Sequence, residues 1–292
     1  MSTPAPRPLD GITVVSLEHA IAAPFCTRQL ADMGARVIKI ERPGAGDFAR
    51  GYDERVRGLS SHFVWTNRSK ESLTLDLKRD EAGDIMERLL QQADVLVQNL
   101  APGAAARLGL SFEALHARFP RLIVCDISGY GEGGPYQDKK AYDLLIQSES
   151  GFLSVTGTAD DPGKAGCSIA DISAGMYAYS AILNALLLRQ KTGLGCRLDV
   201  SMLETMSEGM GFPLVDVNLG CPVPKVVAKG GGSQLLRQPV VQGFDDAAFL
   251  DRHGRLGEAS IWNLAFWDGQ AVVVHRPHLA IWLMIRFGPT SR

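Results

Sequence analysis

The chain has 292 residues, of which 46% are hydrophobic and 21% are charged, and its formal net charge is -2. This composition is typical of a folded globular protein and excludes a disordered or collagen-like chain. Because the basic residues are scattered and the net charge is slightly negative, we expect no nucleic-acid partner.

Strand-like and helix-like patterns alternate over the first 200 residues. The predicted strands are ITVVSLE (12–18), RVIKIE (36–41), SLTLDL (72–77), DVLVQNL (94–100) and LIVCDISG (122–129). Helical spacing falls between them, in AAPFCTRQLADMG, in DEAGDIMERLLQQ and around FEALHARF. This alternation predicts an α/β fold with a parallel sheet and helices on both faces. In such sheets, ligands bind beyond the carboxyl ends of the strands.

Targeting signals and metal-binding patterns are not recognisable in the sequence. MSTPAPRPLDG at the N-terminus lacks the apolar core of a signal peptide, and no sufficiently long apolar run predicts a membrane span. The five cysteines have no C-x-x-C spacing, and the six histidines are not grouped like metal ligands. We therefore expect no membrane, no disulfide framework and no metal site, and a location in the reducing cytoplasm.

A long, mostly apolar helix is predicted after Ile172, within CSIADISAGMYAYSAILNALLLRQKTG (167–193). Asp171 stands at its start, and Gly193 is its stop signal. Aspartate is a favoured helix N-cap because its oxygen accepts from free N–H groups of the first turn. Taken alone, the position of Asp171 therefore favours capping over catalysis.

The glycine-rich stretch GYGEGG (129–134) resembles a dinucleotide-binding loop and follows a predicted strand. Pro135 comes next, however, where such a loop requires the start of a helix. A glycine-rich active-site loop therefore fits better than a nicotinamide-binding site. The sequence also lacks the phosphate-binding G-x-x-x-x-G-K-[ST], the zinc-binding H-E-x-x-H and the hydrolase G-x-S-x-G patterns.

Several sequence blocks follow one another between residues 9 and 210. They are LDGITVVSLEHAIAAPFCTRQLADMGARVIKIERPGAGD, NRSKESLTLDLK, ADVLVQN with PGAAARLGL, ISGYGEGGPY, KKAYDLLIQSESG, CSIADISAGMYA and LLLRQKTGLGCRLDVSMLE. In wording and order these blocks resemble the class III CoA-transferases, the CaiB/BaiF family that includes formyl-CoA transferase. A shared order of blocks is far more specific than any single motif.

The resemblance implies that Asp171 is a nucleophile. Its carboxylate would attack an acyl-CoA thioester to form a mixed anhydride, and the released CoA thiolate would then form an aspartyl-CoA thioester. An incoming acid would repeat these steps in reverse. Helix N–H groups would favour the ionised nucleophile. This chemistry needs neither a metal nor a permanently bound cofactor, since the CoA thioester is itself a substrate.

The resemblance also implies a CoA pocket built from loops that follow the strands. Its residues are His19, Ala20, Ile21, Arg42, Leu75, Lys78, Asn99, Leu100, Arg107 and Lys140, with Tyr142, Asp143 and Gly131 as active-site support. The four basic residues of this set would contact the CoA phosphates. Ile21 departs from the glutamine seen in some family members, so its acyl-side contact does not carry over.

Two alternative functions stay open. An α-methylacyl-CoA racemase shares the fold and uses a His–Asp pair, but Tyr142 precedes Asp143 here. Tyrosine has a reference pKa near 10 and is a poor base at neutral pH.

A non-catalytic CoA-binding protein is the second alternative, because little of the family pattern continues beyond about Leu214. Echoes of it are GGGS (230–233) and WDGQAVVV, which begins at Trp267.

The expected organisation is a Rossmann-like CoA-binding large domain over residues 1–205 and a divergent or truncated small-domain region over 206–292. Divergence, truncation and a changed reading frame all fit the second region. Family members form interlocked two-chain rings, so we expect a homodimer. The wording ADISAGMYAYS resembles the branches that act on succinate, mesaconate or citramalate more than the formyl and oxalate branch.

Overall fold

The computed structural model describes residues 5–158, 161 and 163–207, together with the backbone of residues 265–267 and 272–274. Predictions that fall on GGGS (230–233) and on most of the region beyond residue 207 lie outside the described residues. The WDGQAVVV stretch is described in part, since its first residue closes one short strand and its last three residues form another.

The main sheet has six strands in the order β3-β2-β1-β4-β5-β6, and all neighbouring pairs are parallel. The strands are β1 (Thr13–Leu17), β2 (Arg36–Glu41), β3 (Glu71–Thr74), β4 (Val95–Gln98), β5 (Ile123–Ser128) and β6 (Arg197–Ser201). β1 and β4 are largely apolar because both faces of these strands are buried, and β2 is buried on both faces although it carries Lys39 and Glu41. The strand order reverses between β1 and β4, where doubly wound sheets bind their ligands.

Eight helices connect and cover the strands in the described part of the chain. They are α1 (Ala22–Asp32), α2 (Ser61–Asn67), α3 (Glu81–Leu90), α4 (Ala104–Arg107), α5 (Phe112–His116), α6 (Asp143–Glu149), α7 (Ile169–Thr192) and α8 (Met202–Ser207). Two 3₁₀ turns, Phe48–Gly51 and Phe152–Ser154, complete the set. The predicted α/β fold with a parallel sheet is confirmed.

The sequence misplaced or missed some of these elements. SLTLDL was predicted as a strand up to residue 77, but β3 ends at Thr74. The carboxylate of Asp76 accepts from the N–H of Lys78, and this turn takes the chain out of the sheet. The edge strand β6 and the short helices α2 and α6 were not predicted, since short elements carry little periodic signal.

Helices α1 and α7 pack closely against each other, and α7 also lies along β5 and β6. The buried face of α7 is rich in small residues, and a side chain at Gly175 would meet the carbonyl oxygen of Ala22 at 2.7 Å. Among the described helices, α7 alone is long and apolar enough to cross a membrane. A buried core helix has the same length and composition, so this finding is weak evidence for a span.

The chain divides into two compact units. The first contains the described residues up to Asp143 and Ser168–Thr205, including the six-stranded sheet. The second contains Leu144–Cys167 and an antiparallel pair of strands, β7 (Ala265–Trp267) and β8 (Val272–Val274). The boundary near residue 205 stays a prediction, because most of 206–292 lies outside the described residues.

Candidate active site

Asp171 is the third residue of α7, so the prediction that it is the N-cap is wrong. The helix starts at Ile169 after the N-cap Ser168, whose side chain makes no capping hydrogen bond. Asp143, at the start of α6, does the capping instead. Its Oδ1 accepts from the N–H of Ala170 at 2.8 Å and from the N–H of Asp171 at 3.2 Å. The carboxyl group of Asp171 is therefore not needed to cap its own helix.

The Asp171 carboxyl group lies against the start of a second helix. The backbone N–H of Ala22, the first residue of α1, lies close enough to this carboxyl group to lower its pKa. Gly175, one turn further along α7, lets α1 approach this closely because it has no side chain. The first turns of two helices thus converge on one carboxyl group, and both contribute partial positive charge there.

The electrostatic balance at Asp171 favours the protonated form. The pKa of Asp171 is raised to about 7: burial is the largest cause, the Asp143 carboxylate also raises it, and the N–H of Ala22 partly offsets them. The Ala22 N–H acts in the direction expected of a helix N–H group, since it favours the ionised carboxylate, but desolvation and like-charge repulsion outweigh it. Asp171 populates both protonation states near neutral pH, and such carboxyl groups are concentrated at functional sites.

Tyr52, which interacts electrostatically with this carboxyl group, belongs to an aromatic row defined as His19, Phe48, Tyr52 and His62. Neighbouring ring centroids lie 5.0, 5.9 and 5.8 Å apart along the row. Burial raises the pKa of Tyr52 to about 12, with smaller contributions from the carboxylates of Asp47 and Asp171. The phenol of Tyr52 therefore keeps its proton within electrostatic reach of Asp171.

A cleft of about 370 Å³ opens at the carboxyl ends of the strands. His19 after β1, Arg42 after β2, Leu75 and Lys78 after β3, and Leu100 after β4 all line it. The structure thus brings together five of the residues that the family resemblance implied for CoA. They meet because parallel strands end at the same edge of the sheet.

The other residues implied for CoA lie outside the lining of this cleft. Asn99 holds the backbone of His19, accepting from its N–H at 3.0 Å and donating to its carbonyl at 2.9 Å. Ala20 donates its N–H to Asp47, and Ile21 is buried as the N-cap residue of α1. Two further residues of the set, Arg107 and Lys140, are exposed.

The three residues expected to support the active site have different surroundings. Asp143 meets Asp171 through the helix cap, whereas Tyr142 is 66% exposed. Gly131 is buried with a φ of +71°, a conformation that glycine adopts without strain. The loop that contains it folds back so tightly that a side chain at Gly129 would overlap Ala141. The stretch GYGEGG is therefore a tight loop and not the start of a helix.

A second cavity, of about 430 Å³, lies near the carboxyl ends of β4 and β5 and beside Arg197 and Asp199 of β6. Several polar side chains in its lining contact one another: Arg197 contacts Asp126 and Glu132, and Gln98 donates to Asp126 at 2.8 Å. Among the described residues, no group of three or more histidine, cysteine, aspartate or glutamate side chains could hold a metal ion.

Sequence reasoning did not identify several residues around Asp171. The backbone N–H of Ala22 carries no sequence signal of its own, and Phe48 and Tyr52 are aligned by a 3₁₀ turn that was not predicted. Lys39, inside the strand RVIKIE, was the one residue whose type could have indicated a buried charged partner. Lysine is rarely buried unless it is paired, and Lys39 is buried.

Comparisons with known proteins give one consistent family. The sequence profile of CoA-transferase family III matches residues 9–240. The succinate–glutarate CoA-transferase of Agrobacterium fabrum is 40% identical over 208 residues, which are 68% of this chain and 52% of that protein. The acetyl-CoA:oxalate CoA-transferase of Acetobacter aceti is 42% identical over 207 residues, or 70% of this chain and 53% of that protein. The chain spans about half the length of the curated relatives it matches.

Solved structures agree with the sequence comparison. A CaiB/BaiF family protein from Brucella suis superposes with a TM-score of 0.67 at 37% identity, covering 70% of this chain and 55% of that one. Rv3272 from Mycobacterium tuberculosis gives a TM-score of 0.64 at 33% identity and covers 68% of this chain and 56% of that one. The profile, the relatives and the folds coincide, and the chain belongs to CoA-transferase family III.

Proposed function

We propose that this chain transfers CoA from an acyl-CoA to a free carboxylic acid, with Asp171 as the nucleophile. One observation carries the proposal: a carboxyl group with a pKa of about 7 lies between the first turns of two helices. The loop that leads into α1 begins at His19, which also lines the cleft at the sheet edge. A CoA ester bound in that cleft would therefore lie close to Asp171.

The proposed chemistry conserves charge and needs no oxidant. The Asp171 carboxylate attacks the thioester carbonyl, the C–S bond breaks, and CoA leaves as a thiolate from a mixed anhydride. The thiolate attacks the Asp171 carbonyl and expels the first acid as a carboxylate, leaving an aspartyl-CoA thioester. The second acid attacks this thioester, and the released thiolate then cleaves the new anhydride at its acyl carbonyl. This last step restores Asp171.

The surroundings of Asp171 support this assignment in two ways. A raised pKa makes the ionised carboxylate more basic and hence a better nucleophile than an exposed aspartate. The Ala22 N–H favours the ionised carboxylate, and a nucleophile held by its neighbours spends more of its time in an attack geometry. The protonated phenol of Tyr52 can donate to an oxygen that gains charge during attack.

For the substrates, we propose CoA esters and dicarboxylic acids. Relatives named for succinate with glutarate, oxalate and D-citramalate support this class. Arg42 and Lys78 in the cleft, together with the exposed Arg107 and Lys140, would contact the CoA phosphates. A homodimer and a cytoplasmic location, with neither membrane nor nucleic acid as partner, complete the proposal.

Trapping of the covalent intermediate tests the proposal. The protein is incubated with succinyl-CoA and then with hydroxylamine, which converts an aspartyl thioester or anhydride into a hydroxamate. We expect the mass increase on the peptide that contains Asp171, and no increase in Asp171→Asn. Wild-type protein that binds succinyl-CoA but gives no label at residue 171 would support the non-catalytic alternative.

A further inference from the structure

Four charged side chains are buried together beneath the loop that follows β1. This buried ion cluster consists of Glu18, Lys39, Asp47 and Lys70, whose side chains are at most 2% exposed. Lys39 Nζ lies 2.6 Å from Asp47 Oδ2, and Lys70 Nζ lies 2.7 Å from Glu18 Oε1. Asn67 Oδ1 accepts from both lysines. The cluster thus has two positive and two negative members and is neutral as a whole.

Stability alone does not explain such a cluster. The desolvation of buried charges offsets most of their mutual attraction, and apolar residues of the same volume often stabilise a fold equally well or better. The cluster is therefore better explained by the neighbouring groups that its charged atoms bind.

The cluster holds the backbone on both sides of Ala22. Before it, Asp47 Oδ1 accepts from the N–H of Ala20 at 3.1 Å. After it, Lys70 donates to the carbonyl of Pro24 at 2.9 Å, and Thr27 Oγ1 donates to Glu18 at 2.6 Å. Pro24 and Thr27 belong to the first turns of α1.

Ala20 is the strained point of this loop. Its φ is +63°, a left-handed conformation that residues other than glycine adopt at a cost of about 1 kcal/mol or more. Its N–H is bound to Asp47, and the preceding His19 backbone is held at both its N–H and its carbonyl by Asn99. The loop therefore reaches Ala22 along one defined path.

We propose that the buried ion cluster is a positioning device, in which the Oδ1 atom of Asp47 fixes the Ala20 backbone so that the Ala22 N–H meets the Asp171 carboxylate. The inference rests on the proposed function in that it treats Asp171 as the reacting group. Lys39 does not line the cleft, and Asp47, which does, has its side chain buried against Lys39. Both therefore act as positioning residues in this scheme, and the rates of their variants are compared at saturating succinyl-CoA.

Two charge-neutral double variants separate positioning from stability. Lys39→Met with Asp47→Leu replaces the ion pair by apolar side chains and removes the acceptor for the Ala20 N–H. Lys39→Met with Asp47→Asn also removes both charges but keeps an acceptor oxygen at residue 47. Both variants leave Asp143 and Tyr52, the titratable groups that face Asp171, unchanged. A difference between the two variants therefore reports on the oxygen of residue 47.

The first measurement is the pKa of the Asp171 carboxyl group, obtained by NMR titration of protein labelled with ¹³C-aspartate. Its signal is assigned by its loss in Asp171→Asn. We expect the leucine variant to raise the pKa of Asp171 by about one unit, because a hydrogen bond to the ionised form is lost. The asparagine variant should stay close to the wild type.

The second measurement is the rate of aspartyl-CoA formation, for which we expect a fall of about tenfold in the leucine variant alone. Equal behaviour of the two double variants in both measurements would overturn the proposal. If the leucine variant does not fold, Ala20→Val decides, since a β-branched residue disfavours the positive φ of this backbone without changing charge. It should shift both quantities in the same directions, and unchanged values would refute the positioning role. If the wild type forms no aspartyl-CoA, the proposed function fails while the NMR comparison still decides this inference.

Discussion

A hydrogen bond joins the side chain of Asp143 to the backbone of Asp171. The Oδ1 atom of Asp143 accepts from the backbone N–H of Asp171 at 3.2 Å while the two carboxylates repel each other. Asp143 thus stabilises the first turn of the helix that carries Asp171 and makes the ionised form of Asp171 less favourable. These two effects are separable, because the first needs only an acceptor oxygen and the second needs a charge.

Asp143→Asn should separate them. The asparagine oxygen can still accept from the N–H groups of Ala170 and Asp171, so the fold should be kept. Loss of the negative charge should lower the pKa of Asp171, by about one unit. The rate of aspartyl-CoA formation rises with pH as Asp171 ionises, so its midpoint should move from near 7 to lower pH. An unchanged midpoint would show that Asp143 does not act on Asp171 through its charge.

Asp171 should make the protein less stable as the pH rises. Its pKa is about 7 in the folded protein and near 3.8 when exposed, so the folded state holds this proton more tightly. The stability this proton provides is complete below about pH 4 and is lost as the pH rises through about 7. Asp171→Asn stays neutral and keeps an acceptor for the Ala22 N–H. We expect its free energy of unfolding to exceed that of the wild type by about 4 kcal/mol at about pH 8, and the difference to vanish below about pH 4.

Denaturant unfolding of both proteins across this pH range measures the effect. The exposed Asp84 on α3 supplies the matched control, since Asp84→Asn makes the same chemical change away from the site. A constant difference between Asp171→Asn and wild type at every pH would contradict a raised pKa at Asp171.

Charge reversal in the cleft should weaken CoA binding. Arg42 and Lys78 line the cleft, and replacing either with glutamate turns an attraction for a phosphate group into a repulsion. We expect the Kd for CoA, measured by calorimetry, to rise about tenfold or more in each variant. Arg88→Glu on α3 is the control, because Arg88 does not line the cleft. Unchanged affinity in both cleft variants would place the CoA phosphates elsewhere.

Sequence patterns were sufficient for most of the sheet but not for the contacts around Asp171. RVIKIE was predicted residue for residue as β2, because its β-branched residues lie in a short segment between a helix-like segment and a loop. Asp143 as the cap of α7 could not be read in this way, since the cap joins residues far apart in the chain. A local pattern assigns the cap to the nearest acidic residue, which was Asp171.

Lys39 shows a second limit of the sequence. A lysine in a strand ordinarily extends its charged end to solvent, so its burial depends on a partner that the strand itself does not contain. That partner, Asp47, is supplied by the loop after β2. Five of the ten residues that the family resemblance implied for CoA line one cleft, but the buried side chains behind them became apparent only from the folded arrangement.

The pKa of Asp171 suits a general base as well as a nucleophile, so the racemase alternative needs its own test. Racemisation requires groups on both faces of the α-carbon of the acyl chain, whereas transfer requires one carboxylate and an acceptor acid. Tyr142 occupies the position of the second group and is 66% exposed, which does not suit a base enclosed with its substrate.

In deuterium oxide we therefore expect CoA transfer from succinyl-CoA to added glutarate without deuterium at the α-carbon of the recovered thioester. The readout is mass spectrometry of both CoA esters, with protein-free incubation as the control for spontaneous exchange. Deuterium incorporation that needs the protein but no added acid would favour proton abstraction and overturn the assignment of Asp171 as a nucleophile.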